Sequence, residues 1–248
     1  MMTGPITYRH SADLWHGYQQ RLERLVRDHE FTRILDVGGG ANPLLSTDFI
    51  EAHHLDYTIW DVSASELDKA PAGYRKVVQD ITAESTLSRL ETFDLIFTKM
   101  LAEHVRDGLQ LHRNIFGLLT PGGMAVHFLP TLYTLPFVVN RIVPESLGSR
   151  LLDIFSPRDR HQHGKFPAYY SWCRGPTKTS IRRLERLGYD VVEYQGGFGH
   201  GYYRKIPLIH RWHGRLTRFL LKHPTPYLTS YAWVVVRKPE GHNHRGSR

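Results

Sequence analysis

Residues 33–43 read RILDVGGGANP, a short apolar run that delivers an aspartate into three consecutive glycines. The run does not alternate polar with apolar positions, which suits a strand buried on both faces of a parallel sheet. The glycines let a ligand approach the backbone without meeting a Cβ and leave amides free to line that approach. Similar runs at 57–62, 74–80 and 93–98 are separated by polar, helix-compatible stretches, and alternation of strand with helix implies a parallel sheet with covered faces. A longer helix is expected over 103–119, ending at Thr120-Pro121-Gly122-Gly123, with a fifth strand at 124–129.

On either side of this core the rhythm changes. Residues 11–30 place Leu14, Trp15, Tyr18, Leu22, Leu25 and Val26 three and four apart, the spacing of an amphipathic helix. Residues 130–175 are rich in proline and aromatics, show no repeat and are too long for a simple connector. A helix at 180–187 and a strand at 189–194 restore the pattern; a second interruption at 196–226 precedes the last strand, 231–237 (YAWVVVR). The expected fold is α/β, a Rossmann-like, seven-stranded, mostly parallel sheet flanked by helices, with an aromatic-rich insertion after strand five and a second insertion before the last strand. Residues 1–238 read as one domain, with 11–30 as an N-terminal helix, 130–175 and 196–226 as cap insertions, and 239–248 as a disordered tail.

Composition narrows the setting. A single cysteine, Cys173, leaves no internal disulfide and no cysteine-based zinc knuckle, so a reducing compartment, the cytosol, is expected. No signal peptide or membrane span is legible, because the most apolar stretch, 124–143, is interrupted by His127, Pro130, Pro136 and Asn140. Lys and Arg outnumber Asp and Glu by 32 to 24, which favours anionic partners without identifying one.

A glycine loop of this kind implies a ligand of nucleotide type. A dinucleotide fingerprint needs a further glycine at position 43, where Pro43 stands, and that argues against NAD. Asp61 closes the second strand about twenty residues after the loop, where a carboxylate can accept both hydroxyls of a ribose. Asp80 closes the third, where it can accept the exocyclic amine of adenine while Ile81 packs against the ring. Either aspartate could instead cap the next helix, over 63–68 or 82–90.

With LDVGGGANP, Asp61, Asp80, FDLIFTKMLAEHV and LLTPGG in this order and spacing, residues 33–129 resemble the class I S-adenosylmethionine-dependent methyltransferases, and within them the small-molecule type related to the ubiquinone/menaquinone methyltransferases. The resemblance implies S-adenosylmethionine as cofactor. It implies that Gly38, Gly39 and Gly40 surround the methionine part, Asp61 the ribose, and Asp80 with Ile81 the adenine; that Asp36 orients the amino group through water; and that Thr98 to Met100 line the cofactor. Asn42, where that family often has another glycine, is carried as a further contact.

A sulfonium methyl is already an activated electrophile. What remains for the protein is in-line positioning, exclusion of water and, for a hydroxyl acceptor, removal of a proton, and no metal is expected. His104 is one candidate base, although it could also cap the helix over 103–119 or face solvent. His163 is the second, in a polar cluster where Asp159, His161, Tyr169 and Tyr170 are expected to touch substrate. The spacing of His161 and His163 also resembles metal ligands, but no metal is assigned. TKML at 98–101 does not match the Asp/Asn-Pro-Pro-Tyr strand end of base amino-methylation, and Cys173 follows Trp172 rather than proline, so base methylation of nucleic acid is disfavoured.

The expected activity is methyl transfer to a small molecule, a hydroxyl on a sugar, polyketide-like or isoprenoid compound. RNA or ribose methylation, and a non-catalytic cofactor-binding partner subunit, stay open as alternatives. Residues 208–222 add a last feature: Leu208, Ile209, Trp212, Leu216, Phe219 and Leu220 recur at helical spacing opposite Arg211, Arg215, Arg218 and Lys222. Either this stripe packs on the domain with its charges solvated, or it meets an anionic membrane surface as a peripheral contact.

Overall fold

The computed structural model describes residues 6–84, 86, 91–132, 134 and 167–241. Among them are, in chain order, β1 (Ile6–His10), α1 (Ser11–His29), β2 (Arg33–Val37), α2 (Thr47–Ala52), β3 (Asp56–Asp61), α3 (Ala64–Lys69), β4 (Arg75–Val78), β5 (Phe93–Lys99), α4 (Gly108–Leu118), β6 (Leu119–Pro130), α5 (Lys178–Arg186), β7 (Asp190–Phe198), α6 (Pro207–Lys222) and β8 (Tyr231–Arg237). The strands form one sheet in the order β1-β7-β8-β6-β5-β2-β3-β4. β8 runs antiparallel to both neighbours, β6 and β7, and every other pairing is parallel.

The helices start where side chains can satisfy orphan amides. His10 Nδ1 accepts from the Ala12 amide at 3.2 Å ahead of α1, Ser63 Oγ accepts from the Glu66 amide at 3.3 Å at α3, and Asp107 Oδ1 accepts from the Gln110 amide at 3.0 Å at α4. α1 and α4 cover opposite faces of the sheet. Tyr18 of α1 packs on Phe128, whereas His112 of α4 meets His127 edge-on at 4.9 Å, and successive residues of a strand point to opposite sides. Tyr18 also turns its hydroxyl to the Thr98 and Val126 carbonyls, 2.8 and 3.1 Å away, so this fully buried ring is anchored at its polar end as well.

From β2 the chain builds β3 and β4 on one side and then returns to place β5 on the other. The carboxyl ends of β2 and β5 therefore flank the point where strand order reverses, the place where open parallel sheets bind ligands.

Several expectations need correction. Among the described residues the sheet has eight strands, since Ile6–His10 adds a parallel edge strand to β7, held in part by Tyr8 stacked on Phe198 at 5.4 Å. The helix expected over 103–119 is two pieces: a single 3-10 turn at Ala102–His104, then α4, because Val105 is extended and Asp107 starts a new helix. Leu119 already belongs to β6. Helix α6 forms, and of the two readings of its stripe the burial fits packing on the domain only at Leu220, beside Thr217; Leu208, Ile209, Trp212, Leu216 and Phe219 are exposed. Most of the helix expected over 82–90, most of the insertion at 130–175, and 242–248 lie outside the described residues.

Candidate active site

The glycine turn after β2 is shaped by what lies beneath it. Gly38 and Gly40 have left-handed backbone, with φ of 78° and 43°, a region that costs a side chain strain. A Cβ on Gly38 would collide with the Leu101 side chain, one on Gly39 would lie 2.7 Å from the Asp36 carboxyl carbon, and one on Gly40 would lie 3.0 Å from Oδ2 of Asp61. The turn is thus bare backbone backed by two carboxylates. It does not open directly into a helix, because α2 begins only at Thr47, and Asn42 is an exposed residue closing the turn through its amide to the Gly39 carbonyl at 2.9 Å.

Asp36 is buried, and its Oδ2 accepts from the Tyr57 hydroxyl at 2.6 Å and the Leu44 amide at 3.3 Å. Burial raises its carboxyl to about 7; these hydrogen bonds and the nearby Lys99 ammonium pull the other way. Asp61, at the end of β3, accepts from the Ser63 amide through Oδ1 at 2.9 Å and directs Oδ2 toward Gly40. Ser63, not Asp61, caps α3. Asp80 is exposed, and its Oδ1 holds a local turn by accepting from the amide and hydroxyl of Thr82 at 2.8 and 2.7 Å. Ile81 is buried in the core; its carbonyl and that of Ala83 accept from Nδ2 of Asn114, whose Oδ1 is fixed by Gln110 at 2.8 Å. Asn114, which sequence reasoning missed, sets the conformation of that turn from α4.

At the end of β5 the predicted residues separate. Thr98 is fully buried with its hydroxyl 3.0 Å from His127 Nδ1, while Met100 adopts a left-handed φ of 55° and leads into Leu101 over Gly38. A non-glycine residue in that region marks strain, often at a functional site. Lys99 lies 5.4 Å from the centre of the Trp15 ring, its ammonium held below the ordinary range by burial despite the charge of Asp36.

The 3-10 turn that follows carries an acid that the sequence reading passed over. Glu103 is only 3% exposed, and its Oε2 accepts no hydrogen bond among the described residues. Burial raises its carboxyl to about 8. Its backbone carbonyl accepts from the amides of Tyr169 and Tyr170 at 2.7 and 3.0 Å, so the described end of the insertion docks on this turn. His104 lies alongside, with Nδ1 2.9 Å from the Pro167 carbonyl and Nε2 3.7 Å from Glu103 Oε1. A carbonyl can only accept, so Nδ1 carries the hydrogen and Nε2 is left as the basic nitrogen.

Tyr170 is buried close to Glu103, whereas Tyr169 faces out beneath the Arg106 guanidinium at 5.7 Å. Tyr231, at the start of β8, bonds the Tyr202 side chain and feels both Glu103 and Tyr170, and burial together with those neighbours keeps its phenol protonated. Asp159, His161 and His163 lie outside the described residues. Among the described residues no cluster of histidine, cysteine and carboxylate side chains could hold a metal ion. Perturbed acids and bases gathered at a strand-end crevice are the signature of a reaction site.

Comparison with known proteins decides which kind. Residues 8–194 match the family described as "Methyltransferase domain". The chain belongs to this methyltransferase family. It is 27% identical over 208 residues to the ubiquinone biosynthesis O-methyltransferase of Caulobacter sp. (strain K31), covering 78% of this chain and 73% of that one. Among solved structures, an S-adenosylmethionine-dependent methyltransferase from Clostridium acetobutylicum shares the fold at TM-score 0.57 and 13% identity, covering 91% and 92% of the two chains. One from Archaeoglobus fulgidus does so at 0.53 and 13%, covering 91% and 97%.

S-adenosylmethionine is the cofactor of this methyltransferase, and the residues present fit it. A backbone cradle that any Cβ would fill, with the Asp61 carboxylate at its edge, suits a ligand that brings cationic groups and a ribose diol.

Proposed function

We propose that this methyltransferase methylates a hydroxyl group of a small molecule, and that His104 removes the hydroxyl proton. One observation carries the reading: His104 stands at the carboxyl end of β5 with its tautomer fixed by the Pro167 carbonyl, Nε2 basic, and the buried Glu103 3.7 Å behind it. A hydroxyl needs a base in order to attack, whereas a free amine brings its own lone pair. The relative that matches over most of its length is named for O-methylation, in keeping with this chemistry.

In this reading Gly38 to Gly40 pass along the methionine part of the cofactor, Asp61 accepts the ribose hydroxyls, and the Asp80–Ile81 turn receives the adenine. Asp36 shapes the glycine turn from below. Bound S-adenosylmethionine supplies an electrophilic methyl group that needs no further activation. When Nε2 of His104 takes the acceptor proton, the new imidazolium lies next to Glu103, whose carboxyl then favours its ionised form. The aromatic segment at 167–174 docks on the same turn through the amides of Tyr169 and Tyr170, beside a partly exposed His104 that an acceptor can reach.

The test is turnover with S-adenosylmethionine and a panel of phenols and sugar or isoprenoid alcohols. The His104→Ala variant is expected to lose about a hundredfold in kcat while binding S-adenosylhomocysteine as the parent does. Full turnover in that variant refutes His104 as the base, and transfer only to amines refutes the hydroxyl acceptor.

A further inference from the structure

Helix α6 makes an unusual use of its apolar residues. At about 100° per residue, Leu208, Phe219, Trp212, Leu216 and Ile209 fall within an arc of roughly 100°. The four cations Arg218, Arg211, Lys222 and Arg215 fill an adjoining arc of about 60°, and Leu220 and Thr217 lie on the opposite flank. Only that last flank is buried against the protein. Leu208, Trp212 and Phe219 are 69%, 64% and 57% exposed, and Leu228, in the turn just beyond the helix, is exposed as well. Apolar side chains contiguous along one helix are not the scattered exposed leucines that any surface carries.

The charge around the stripe is one-sided. From Tyr194 to the end of α6 the chain contains no aspartate or glutamate, while Arg204, Lys205, Arg211, Arg215, Arg218 and Lys222 all fall there. None of the four α6 cations has a carboxylate partner among the described residues. Arg215 lies over the Trp212 ring at 5.8 Å, so apolar and cationic groups present themselves together. No described helix is long and apolar enough to cross a bilayer.

We propose that α6 is a docking face for an anionic lipid bilayer, with its apolar arc sunk at the level of the acyl boundary and its cations at the headgroup phosphates. The complementarity is specific to that occupant. A second copy of this chain docking through the same helix would bring the same four cations and repel them, whereas an anionic headgroup layer offers negative charge beside an apolar interior. Tryptophan and arginine at the boundary between water and lipid each place a polar end in water and an apolar body below it. The inference is independent of which acceptor the active site takes.

Co-sedimentation of the full chain with vesicles tests it, using phosphatidylcholine alone and phosphatidylcholine mixed with phosphatidylglycerol. Partition into the anionic vesicles is expected to exceed that into neutral ones by about tenfold or more at low salt and to fall toward the neutral value at high salt. The W212S/F219S variant, altered only at exposed positions, is expected to lose partition by about tenfold, and R211E/R215E to lose the preference for anionic lipid. Since these variants change different residues, misfolding of one leaves the other to decide. The proposal is overturned if the parent stays in solution at low salt, if it partitions equally into both vesicles, or if W212S/F219S partitions as the parent does. It is equally overturned if sedimentation velocity shows a dimer that W212S/F219S disperses while no vesicle binding occurs.

Discussion

Replacing Glu103 by glutamine removes an ionisable group and leaves the shape. Burial raises this carboxyl from 4.5 to about 8; at about 1.4 kcal/mol per tenfold, that corresponds to roughly 5 kcal/mol against ionising it in the folded chain. Between those two values the folded protein keeps a proton that the unfolded chain releases, so stability falls as pH rises. The contribution is complete below 4.5 and is lost as pH passes through 8. From pH 5 to pH 8 the parent should lose about 4 kcal/mol through this group alone, while Glu103→Gln loses none of it. Asp36, raised to about 7, titrates in the same direction in both proteins and cancels in the difference. Urea unfolding at a series of pH values measures that difference directly. Curves for parent and variant that run parallel from pH 5 to 8 would refute the account of Glu103 as a buried, proton-retaining carboxyl.

Two further perturbations test the cofactor side. Gly39→Ala places a Cβ 2.7 Å from the Asp36 carboxyl, and the shift this forces should destabilise the fold by about 1–3 kcal/mol and weaken S-adenosylhomocysteine binding by calorimetry; unaltered binding would mean that the turn is not the cradle. Asp61→Ala should cost about 1–3 kcal/mol of binding in the same experiment, the loss expected when ribose hydroxyls lose a charged acceptor. Unchanged affinity would remove Asp61 from the site.

What was legible in the sequence is what one local pattern decides. The unbroken apolar runs predicted β2, β3 and β5 to within a residue of where they lie, because central parallel strands are buried on both faces and need no partner's help to be recognised. The glycine turn and Asp61 lie where the sequence puts them because they directly end those runs. β1 was not, since ITYRH has few apolar residues and becomes a strand only by pairing with β7, far away in sequence. The break before α4 did leave a signal: Asp107 with Gln110 three residues on is an N-terminal capping pattern. Glu103 was the instructive miss. A glutamate beside a histidine reads as solvated, and its burial here goes with the docking of 167–170 on the turn and with neighbours such as Cys173 and Tyr231, all distant in sequence. Likewise the stripe on α6 has the periodicity of a packed helix, and periodicity alone cannot say that the neighbouring surface is water rather than sheet.

The place of β1 in the sheet has a consequence for how the chain comes to be assembled. Ile6 pairs with Tyr194 and His10 with Phe198, so β1 has no strand to pair with until β7, far along the chain, has been made. During synthesis α1 can form early, yet Tyr18 has no sheet to cover until β5, β6 and β8 are in place. Closure of contacts this distant in sequence is slow relative to local structure, and an amphipathic helix waiting for its partner exposes its apolar side throughout. A nascent chain arrested before β7 should therefore carry an exposed N-terminal helix that protease cuts readily, and one released after Arg237 should not.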